Sequence, residues 1–138
     1  MPGYSGTPLV RKLGFRPPLR VWLVGAPREY ADWLGELPAS VVLATRPTAT
    51  IAAAHVFVTR RADLVRRLGA LRRTLVPDGF VWVSWPKRAS GVPSEVGEDT
   101  IRELALPLGF VDVKVCAVSD VWSGLRLVIR RSERPARR

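Results

Sequence analysis

The sequence of 138 residues contains one cysteine, Cys116, and one histidine, His55. A single cysteine forms no disulfide within the chain, which is typical of proteins from a reducing compartment. A structural zinc site takes more ligands than this pair supplies. No apolar run approaches the length of a membrane span, and the first residues lack the basic-then-apolar pattern of a signal peptide. We therefore expect a cytoplasmic protein with no membrane span and no bound metal.

The turn after the first predicted strand is poor in glycine. Residues 20–24 (RVWLV) form a short apolar run, and Gly25-Ala26-Pro27 follows it. In nucleotide-binding α/β proteins, several glycines at this turn let the backbone approach a phosphate or an adenosyl group. Here one glycine is present, and Pro27 has a fixed φ and no N–H to donate. The sequence predicts a nucleotide-binding type of scaffold that lacks the usual cofactor loop.

The charge of the chain is strongly positive. Lys and Arg number 22 against 12 Asp and Glu, which gives a formal net charge of +10. A basic protein is drawn to nucleic acid, anionic lipid or acidic partners. The alternative is an arginine-rich genome, because Ala, Arg, Pro and Val are all abundant here. Part of the excess lies in residues 132–138, which we predict to be a basic disordered tail.

Apolar runs alternate with helical patterns through most of the chain. Near-continuous apolar strands of this kind are typical of a parallel sheet that is covered on both faces. We predict one α/β domain over residues 1–131, with a Rossmann-like mixed sheet of about six strands and helices on both faces. The predicted pieces are an N-terminal helix at 8–13, a sheet core at 20–131, four parallel strands at 20–24, 40–45, 53–59 and 80–85, helices at 28–37, 62–75 and 98–108, a turn at 77–79, and a C-terminal antiparallel hairpin of 111–118 with 122–131.

The order of these elements resembles the Rossmann-like fold of class I methyltransferases. The stretches that carry this resemblance are residues 20–25, LVPDGFVWVS at 75–84, and LGF at 108–110 followed by a hairpin with WSGL at 122–125. The whole chain is also similar to a family of short bacterial proteins whose domain has no known function. That similarity rests on GYSGTPL at 3–9, VSWPK at 83–87, SGVP at 90–93 and VKVC at 113–116. The resemblances imply a fold and a family, and they imply no activity.

The chain departs from the methyltransferase pattern at the positions that would hold the cofactor. Leu23 or its neighbours stand where that family usually has an acidic residue in the first strand, and the turn at 25–27 replaces a Gly-x-Gly loop. Thr45 and Arg46 stand where an acidic residue usually holds the ribose, and His55 is the nearest equivalent of an aspartate near the start of a later strand. The chain is also shorter by a strand–helix unit. These departures argue against S-adenosylmethionine as a cofactor.

Cations follow each predicted parallel strand, at Arg28, Arg46, Arg60 and Lys87. In open α/β sheets, ligands bind beyond the carboxyl ends of the strands. Such a basic rim suits an anionic small molecule, either a nucleotide or a phosphorylated metabolite, or a nucleic acid. The alternative interpretation is that each strand end simply meets solvent in a chain whose commonest polar residue is arginine.

The loop after the fourth predicted strand is the second candidate site. Together with Gly25 at the first turn, we take Ser84, Trp85, Lys87 and Ser90 as candidate ligand-binding residues. The cluster of Ser84, Trp85, Lys87 and Ser90 would form a polar cup in which Trp85 stacks on a base. The alternative is that Trp85 fills the core.

No residue is predicted to be catalytic. His55 has no Ser or Cys partner at a readable spacing, so we expect a structural histidine. No nucleophile elbow, Walker loop or metal-ligand spacing is present. We expect a non-catalytic binding or regulatory protein. The alternatives are a divergent methyltransferase that binds S-adenosylmethionine through Gly25 and the loop after the fourth strand, and a protein-interaction module such as a homodimer joined at the hairpin edge.

Overall fold

A computed structural model describes residues 7–135 of the chain. The residues quoted above at positions 3–6, and the end of the predicted tail at 136–138, lie outside that range. The described residues form helices α1 (Leu9–Lys12), α2 (Tyr30–Leu34), α3 (Arg61–Thr74) and α4 (Glu98–Ala105), and strands β1 (Leu19–Val24), β2 (Val41–Ala44), β3 (Ile51–Phe57), β4 (Leu75–Pro86), β5 (Phe110–Ala117) and β6 (Trp122–Ile129). Short 3₁₀ turns occur at Arg88–Ser90, Leu106–Leu108 and Arg131–Glu133.

The strands form one sheet in the order β2-β1-β3-β4-β6-β5. β1 pairs with β2 and β3 in parallel, and β3 pairs with β4 in parallel. β6 is antiparallel to both of its neighbours, β4 and β5. The predicted mixed sheet of four parallel strands and a C-terminal hairpin is therefore confirmed.

A separate apolar core lies on each face of the sheet, because helices cover both faces. α3 and α4 cover one face with buried side chains such as Leu68 and Ile101. α1 and α2 cover the other face with Leu13, Tyr30 and Leu34. Strands β3 and β4 are buried on both faces over most of their length, as their near-continuous apolar runs predict.

Several predicted element boundaries differ from the structure by a few residues, and two of the differences are explained by glycine. The helix predicted at 28–37 ends at Leu34, because Gly35 adopts a φ of 77° and its N–H bonds back to the carbonyl of Ala31. The predicted turn at 77–79 lies inside β4, where the pairing with β3 shifts register. A side chain at Gly79 would place its Cβ 2.8 Å from the carbonyl oxygen of Ala52, so this irregularity requires glycine.

The predicted disordered tail is ordered in its first residues. Arg131–Glu133 form a 3₁₀ turn, and the Arg134 guanidinium donates to the carbonyl oxygen of Ile129 at 3.0 Å. Glu133 also lies 3.8 Å from the guanidinium of Arg72 on α3. These local contacts hold the chain against the sheet beyond β6. The domain boundary at residue 131 stays a prediction.

Helix α1 is fastened to the sheet by one buried hydrogen bond. The indole Nε1–H of Trp82, a fully buried residue of β4, donates to the carbonyl oxygen of Leu13 at 2.8 Å. That carbonyl lies just past the last turn of α1, where helix carbonyls have no partner within the helix. The bond therefore joins a helix of one turn, which has little stability of its own, to the centre of the sheet.

We predict that Trp82→Phe lowers the free energy of unfolding by about 1–3 kcal/mol, because it leaves the buried carbonyl of Leu13 without its donor and removes buried ring volume. Urea denaturation followed by circular dichroism measures this. Trp33→Phe is the matched control. Because Trp33 is half-buried on α2, this substitution should lower the free energy of unfolding by less. An equal loss in both variants would contradict the role given to the Trp82 bond.

Candidate functional site

A crevice opens beside the turn that follows β1, and we call it the Gly25 crevice. It has a volume of about 750 Å³ and is bounded by the ends of β1 and β2, the turn at 25–28, the start of α2, and Arg67 from α3. This is the carboxyl edge of the parallel sheet, at which ligands bind in open α/β folds. The volume lies within the usual range for small-molecule sites.

Gly25 is required for packing at the base of this crevice. Its φ is +69°, and a Cβ added there would lie 2.9 Å from the carbonyl oxygen of Phe57 at the end of β3. Any other residue would be strained and would push against that backbone. The glycine therefore lets the turn after β1 approach β3, whatever else it does for a ligand.

The walls of the crevice are apolar and its charges are positive. Leu23, Pro27 and Leu43 contribute apolar surface, while Arg28 and Arg67 contribute guanidinium groups. None of the described residues that line it is acidic. The guanidinium of Arg67 lies 5.7 Å from the ring centroid of Trp22, which is a cation–π distance. The crevice thus combines apolar surface with positive charge, which suits an anion attached to an apolar group.

Of the other predicted rim cations, Arg46 lies nearest to the crevice in the chain. Its neighbours Thr45 and Pro47 line the crevice, whereas Arg46 itself is exposed and is not a lining residue. Its backbone carbonyl accepts a hydrogen bond of 3.0 Å from the Arg20 guanidinium. Arg28 is thus the one predicted rim cation that lines the crevice, and Arg67 is a cation that the sequence analysis missed.

Arg60 and Lys87 lie apart from the crevice. Arg60 is the N-cap residue of α3, and the next amide, that of Arg61, donates to the Glu95 carboxylate at 2.9 Å. An internal carboxylate therefore already occupies this helix N-terminus. The Lys87 ammonium donates to the carbonyl oxygen of Ser119 at 3.1 Å. The four predicted rim cations do not converge on one point.

The polar cup predicted from Ser84, Trp85, Lys87 and Ser90 does not form. Neighbouring residues of a strand point to opposite faces, so Ser84 lies in the core under α2 while Trp85 lies in the core under α3 and α4. Ser84 is fully buried and Trp85 is 8% exposed. Ser90 stabilises its own turn, because its hydroxyl donates to the carbonyl oxygen of Lys87 at 2.6 Å. Trp85 thus follows the alternative interpretation and fills the core.

A buried chain of three polar side chains crosses the core beneath the crevice. The Tyr30 hydroxyl and His55 Nδ1 are 2.8 Å apart, and His55 Nε2 and Ser84 Oγ are 2.7 Å apart. Tyr30 comes from α2, His55 from β3 and Ser84 from β4, and none is more than 2% exposed. In either neutral tautomer, one ring nitrogen donates and the other accepts, so both bonds form. Tyr30 also lines the Gly25 crevice.

Burial keeps the three hydrogen-bonded side chains of Tyr30, His55 and Ser84 uncharged. Desolvation lowers the pKa of His55 to about 3, since its ring stacks on Phe57 and no water reaches it. Burial likewise raises the pKa of the Tyr30 hydroxyl well above its usual value. A Ser–His pair at this distance is the arrangement that activates a nucleophile, but the Ser84 hydroxyl has no exposed surface for a substrate to reach. These hydrogen bonds therefore cross-link α2, β3 and β4.

The expectation that His55 has no serine partner is wrong. Ser84 is that partner, and it lies two residue pairs beyond His55 in the parallel register of β3 and β4. A signal was present in the sequence, since His55 and Ser84 each interrupt an otherwise apolar run at 53–58 and 80–85. Polar groups in two buried neighbouring strands need buried partners, and each can supply a partner for the other. The expected structural role of His55 fits this contact.

We predict that the free energy of unfolding falls as the pH is lowered from about 7 to 5. In the unfolded chain His55 regains its ordinary pKa of 6.5 and takes up a proton in this range, whereas the folded protein holds it neutral down to about pH 3. The contribution of neutral His55 to the free energy of unfolding is therefore fully present well above pH 6.5 and is lost as the pH falls below that value. The slope of this loss approaches about 1.4 kcal/mol per pH unit. Urea denaturation at several pH values measures the slope.

His55→Gln is the control for this slope, because His55 is the only histidine of the chain. The variant should start from a lower stability but show a flat profile between pH 7 and 5. Carboxylates titrate below this window, so the comparison ends at pH 5. A variant with the same slope as the parent protein would contradict the burial of a neutral His55.

This sheet, with its crevice at the carboxyl edge of β1, defines a methyltransferase-like Rossmann α/β protein. A putative type 11 methyltransferase from Sulfolobus solfataricus aligns with a TM-score of 0.65 at 15% identity and 93% coverage of each chain. A SAM dependent methyltransferase from Aquifex aeolicus gives 0.59 at 15% identity, with 88% of this chain and 87% of that chain covered. A ribosomal protein L11 methylase from Lactobacillus delbrueckii subsp. bulgaricus gives 0.56 at 15% identity, with 88% and 75% covered. Likeness at such low identity establishes the fold alone.

The chain belongs to the family described as "Protein of unknown function (DUF3052)", whose sequence model matches residues 51–131. Both predicted resemblances, to a family without a known function and to the methyltransferase fold, are confirmed. No curated protein matches the sequence. Within residues 7–135, no helix is long and apolar enough to cross a membrane, and no three side chains of the His, Cys, Asp and Glu types come together as a metal site.

Proposed function

We propose that this protein binds a small phosphorylated ligand of the nucleotide class in the Gly25 crevice and acts as a non-catalytic binding or regulatory protein. The observation that carries this proposal is the pairing of apolar walls with two guanidinium groups and no carboxylate among the described lining residues. The base and sugar of a nucleotide offer apolar surface, and its phosphate offers negative charge. Arg28 lines the crevice from the turn after β1 and Arg67 lines it from α3, so a phosphate bound there has two guanidinium groups available as donors.

The same residues fit S-adenosylmethionine poorly. That cofactor carries a sulfonium and an ammonium cation against one carboxylate, so its net charge is positive and Arg28 and Arg67 attract it less than they attract a nucleotide. The end of β2 supplies Thr45 and Arg46 where a carboxylate would be needed to accept hydrogen bonds from the ribose hydroxyls. We therefore derive no methyl transfer from this site.

Two other functions remain as competing proposals. The methyltransferase-like fold favours a divergent transferase that binds S-adenosylmethionine in the same crevice. The free edge strand β5, with Val113 and Val115 about half-exposed, favours a homodimer joined at the hairpin edge. Calorimetry with each ligand separates the first from our proposal, and sedimentation at several concentrations tests the second.

The proposed function is tested by isothermal titration calorimetry with adenosine, AMP, ADP, ATP and S-adenosylmethionine. We expect the nucleotides to bind and adenosine to bind much more weakly, because the phosphate supplies the charge-assisted bonds. Arg28→Gln and Arg67→Gln should each weaken nucleotide binding by roughly tenfold, the value of one such bond.

Arg88→Gln is the matched control, because Arg88 is exposed on the 3₁₀ turn after β4 and does not line the crevice. It removes the same charge and should leave nucleotide affinity within a factor of about two. Tighter binding of S-adenosylmethionine than of any nucleotide would favour the transferase. Equal losses in all three variants would mean that net charge, not the crevice, attracts the ligand.

A further inference from the structure

A second concave region lies on the other flank of the protein, between α1 and the edge strand β5, and we call it the α1–β5 cleft. Its volume is about 610 Å³. Four cations line it: Arg11 and Lys12 from α1, Arg16 from the segment after it, and Lys114 from β5. None of its described lining residues is acidic or aromatic.

The acidic residues of the chain lie elsewhere. The first acidic residue in the sequence is Glu29, so the segment that carries Arg11, Lys12 and Arg16 contains no carboxylate. Ion pairs among the described residues instead connect side chains of α3 and α4 with one another or with nearby acids: Arg61 with Glu103, Arg66 with Asp63, Arg72 with Glu133, and Arg102 with Glu98, Asp99 and Asp112. Among the described residues, Arg11, Arg16 and Lys114 form no ion pair, so three cations of the α1–β5 cleft lack a carboxylate partner.

A hydrogen bond joins the two elements that border the cleft, and a further cation lies on the neighbouring strand. The Lys114 ammonium reaches the carbonyl oxygen of Lys12 at 3.4 Å, which brings β5 and α1 together. Arg126 lies opposite Lys114 in the pairing of β6 with β5, and its guanidinium lies 4.4 Å from the ring centroid of Phe80. The Nε of Arg126 is buried and has no hydrogen-bond partner among the described residues. A further cation therefore lies beside Lys114.

Like charges that line one concave region repel one another, and the repulsion falls when a ligand of opposite sign binds. We propose that the α1–β5 cleft binds a small anion that carries several linked phosphate groups, of the tripolyphosphate class. Guanidinium and ammonium groups from α1, from the segment after it and from β5 surround one concave space, so linked phosphates can contact several cations at once. Within residues 7–135, the lining offers no aromatic ring on which a nucleic-acid base could stack, which favours a ligand without bases.

The test uses the full chain and sodium tripolyphosphate as the probe, with orthophosphate and a short DNA duplex for comparison at fixed ionic strength. Calorimetry should show tripolyphosphate binding more tightly than orthophosphate. The double variant Arg11→Gln with Lys114→Gln should lose roughly tenfold or more in affinity, because two charge-assisted contacts are removed. In the parent protein, tripolyphosphate should shift the backbone amide NMR signals of Arg11, Arg16 and Lys114.

Arg73→Gln with Arg131→Gln is the control, since both side chains are exposed away from the cleft and the change in net charge is equal. It should keep parental affinity for tripolyphosphate. The proposal is overturned if the parent does not bind tripolyphosphate, if the control loses as much affinity as the cleft variant, or if only DNA binds. Amide shifts confined to Arg28 and Arg67 would also overturn it, and they would place the phosphate in the Gly25 crevice instead.

Discussion

Strands β3 and β4 are buried on both faces, and most of the structure follows from this constraint. A polar side chain in such a strand cannot reach water, so it must find a partner inside or destabilise the fold. Three side chains meet this condition: His55 bonds to Ser84 and Tyr30, and the Trp82 indole bonds to the end of α1. These bonds attach two short helices to one face of the sheet, where apolar packing alone would leave their positions less defined.

The Gly25 crevice depends on the same cross-links. Tyr30 forms part of its lining and is held by His55, while Gly25 rests against the backbone of Phe57. The floor of the crevice is therefore built from core contacts. Arg28, by contrast, is exposed at its edge and can adjust to a ligand. A rigid floor with an adaptable charged edge is an arrangement that binds a ligand without large rearrangement, which suits a binding protein.

The sequence predicts the sheet well and the site less well, for a physical reason. Apolar periodicity is local, so the strands, the hairpin and the stripe of α3 can be recognised from neighbouring residues. The site depends on contacts between residues far apart in the chain, such as Arg67 of α3 beside Trp22 of β1. Ser84 shows the limit most clearly, since its place beside a loop predicted an exposed ligand group. Its position in β4 instead places its side chain on the same face of the sheet as His55, and the register of β4 against β3 brings the two together.

The distribution of charge bears on whether the arginine content is merely compositional. A bias toward arginine alone would place cations on every exposed surface without regard to the acids nearby. On α3, however, Arg61, Arg66 and Arg72 each have a carboxylate partner, whereas Arg11, Arg16 and Lys114 at the α1–β5 cleft form no ion pair within the described part of the chain. Uneven compensation of this kind raises the positive potential at the cleft relative to the surface around those ion pairs. The two regions that we propose as anion sites differ in construction, since one is a crevice with apolar walls and the other is a cleft lined by four cations.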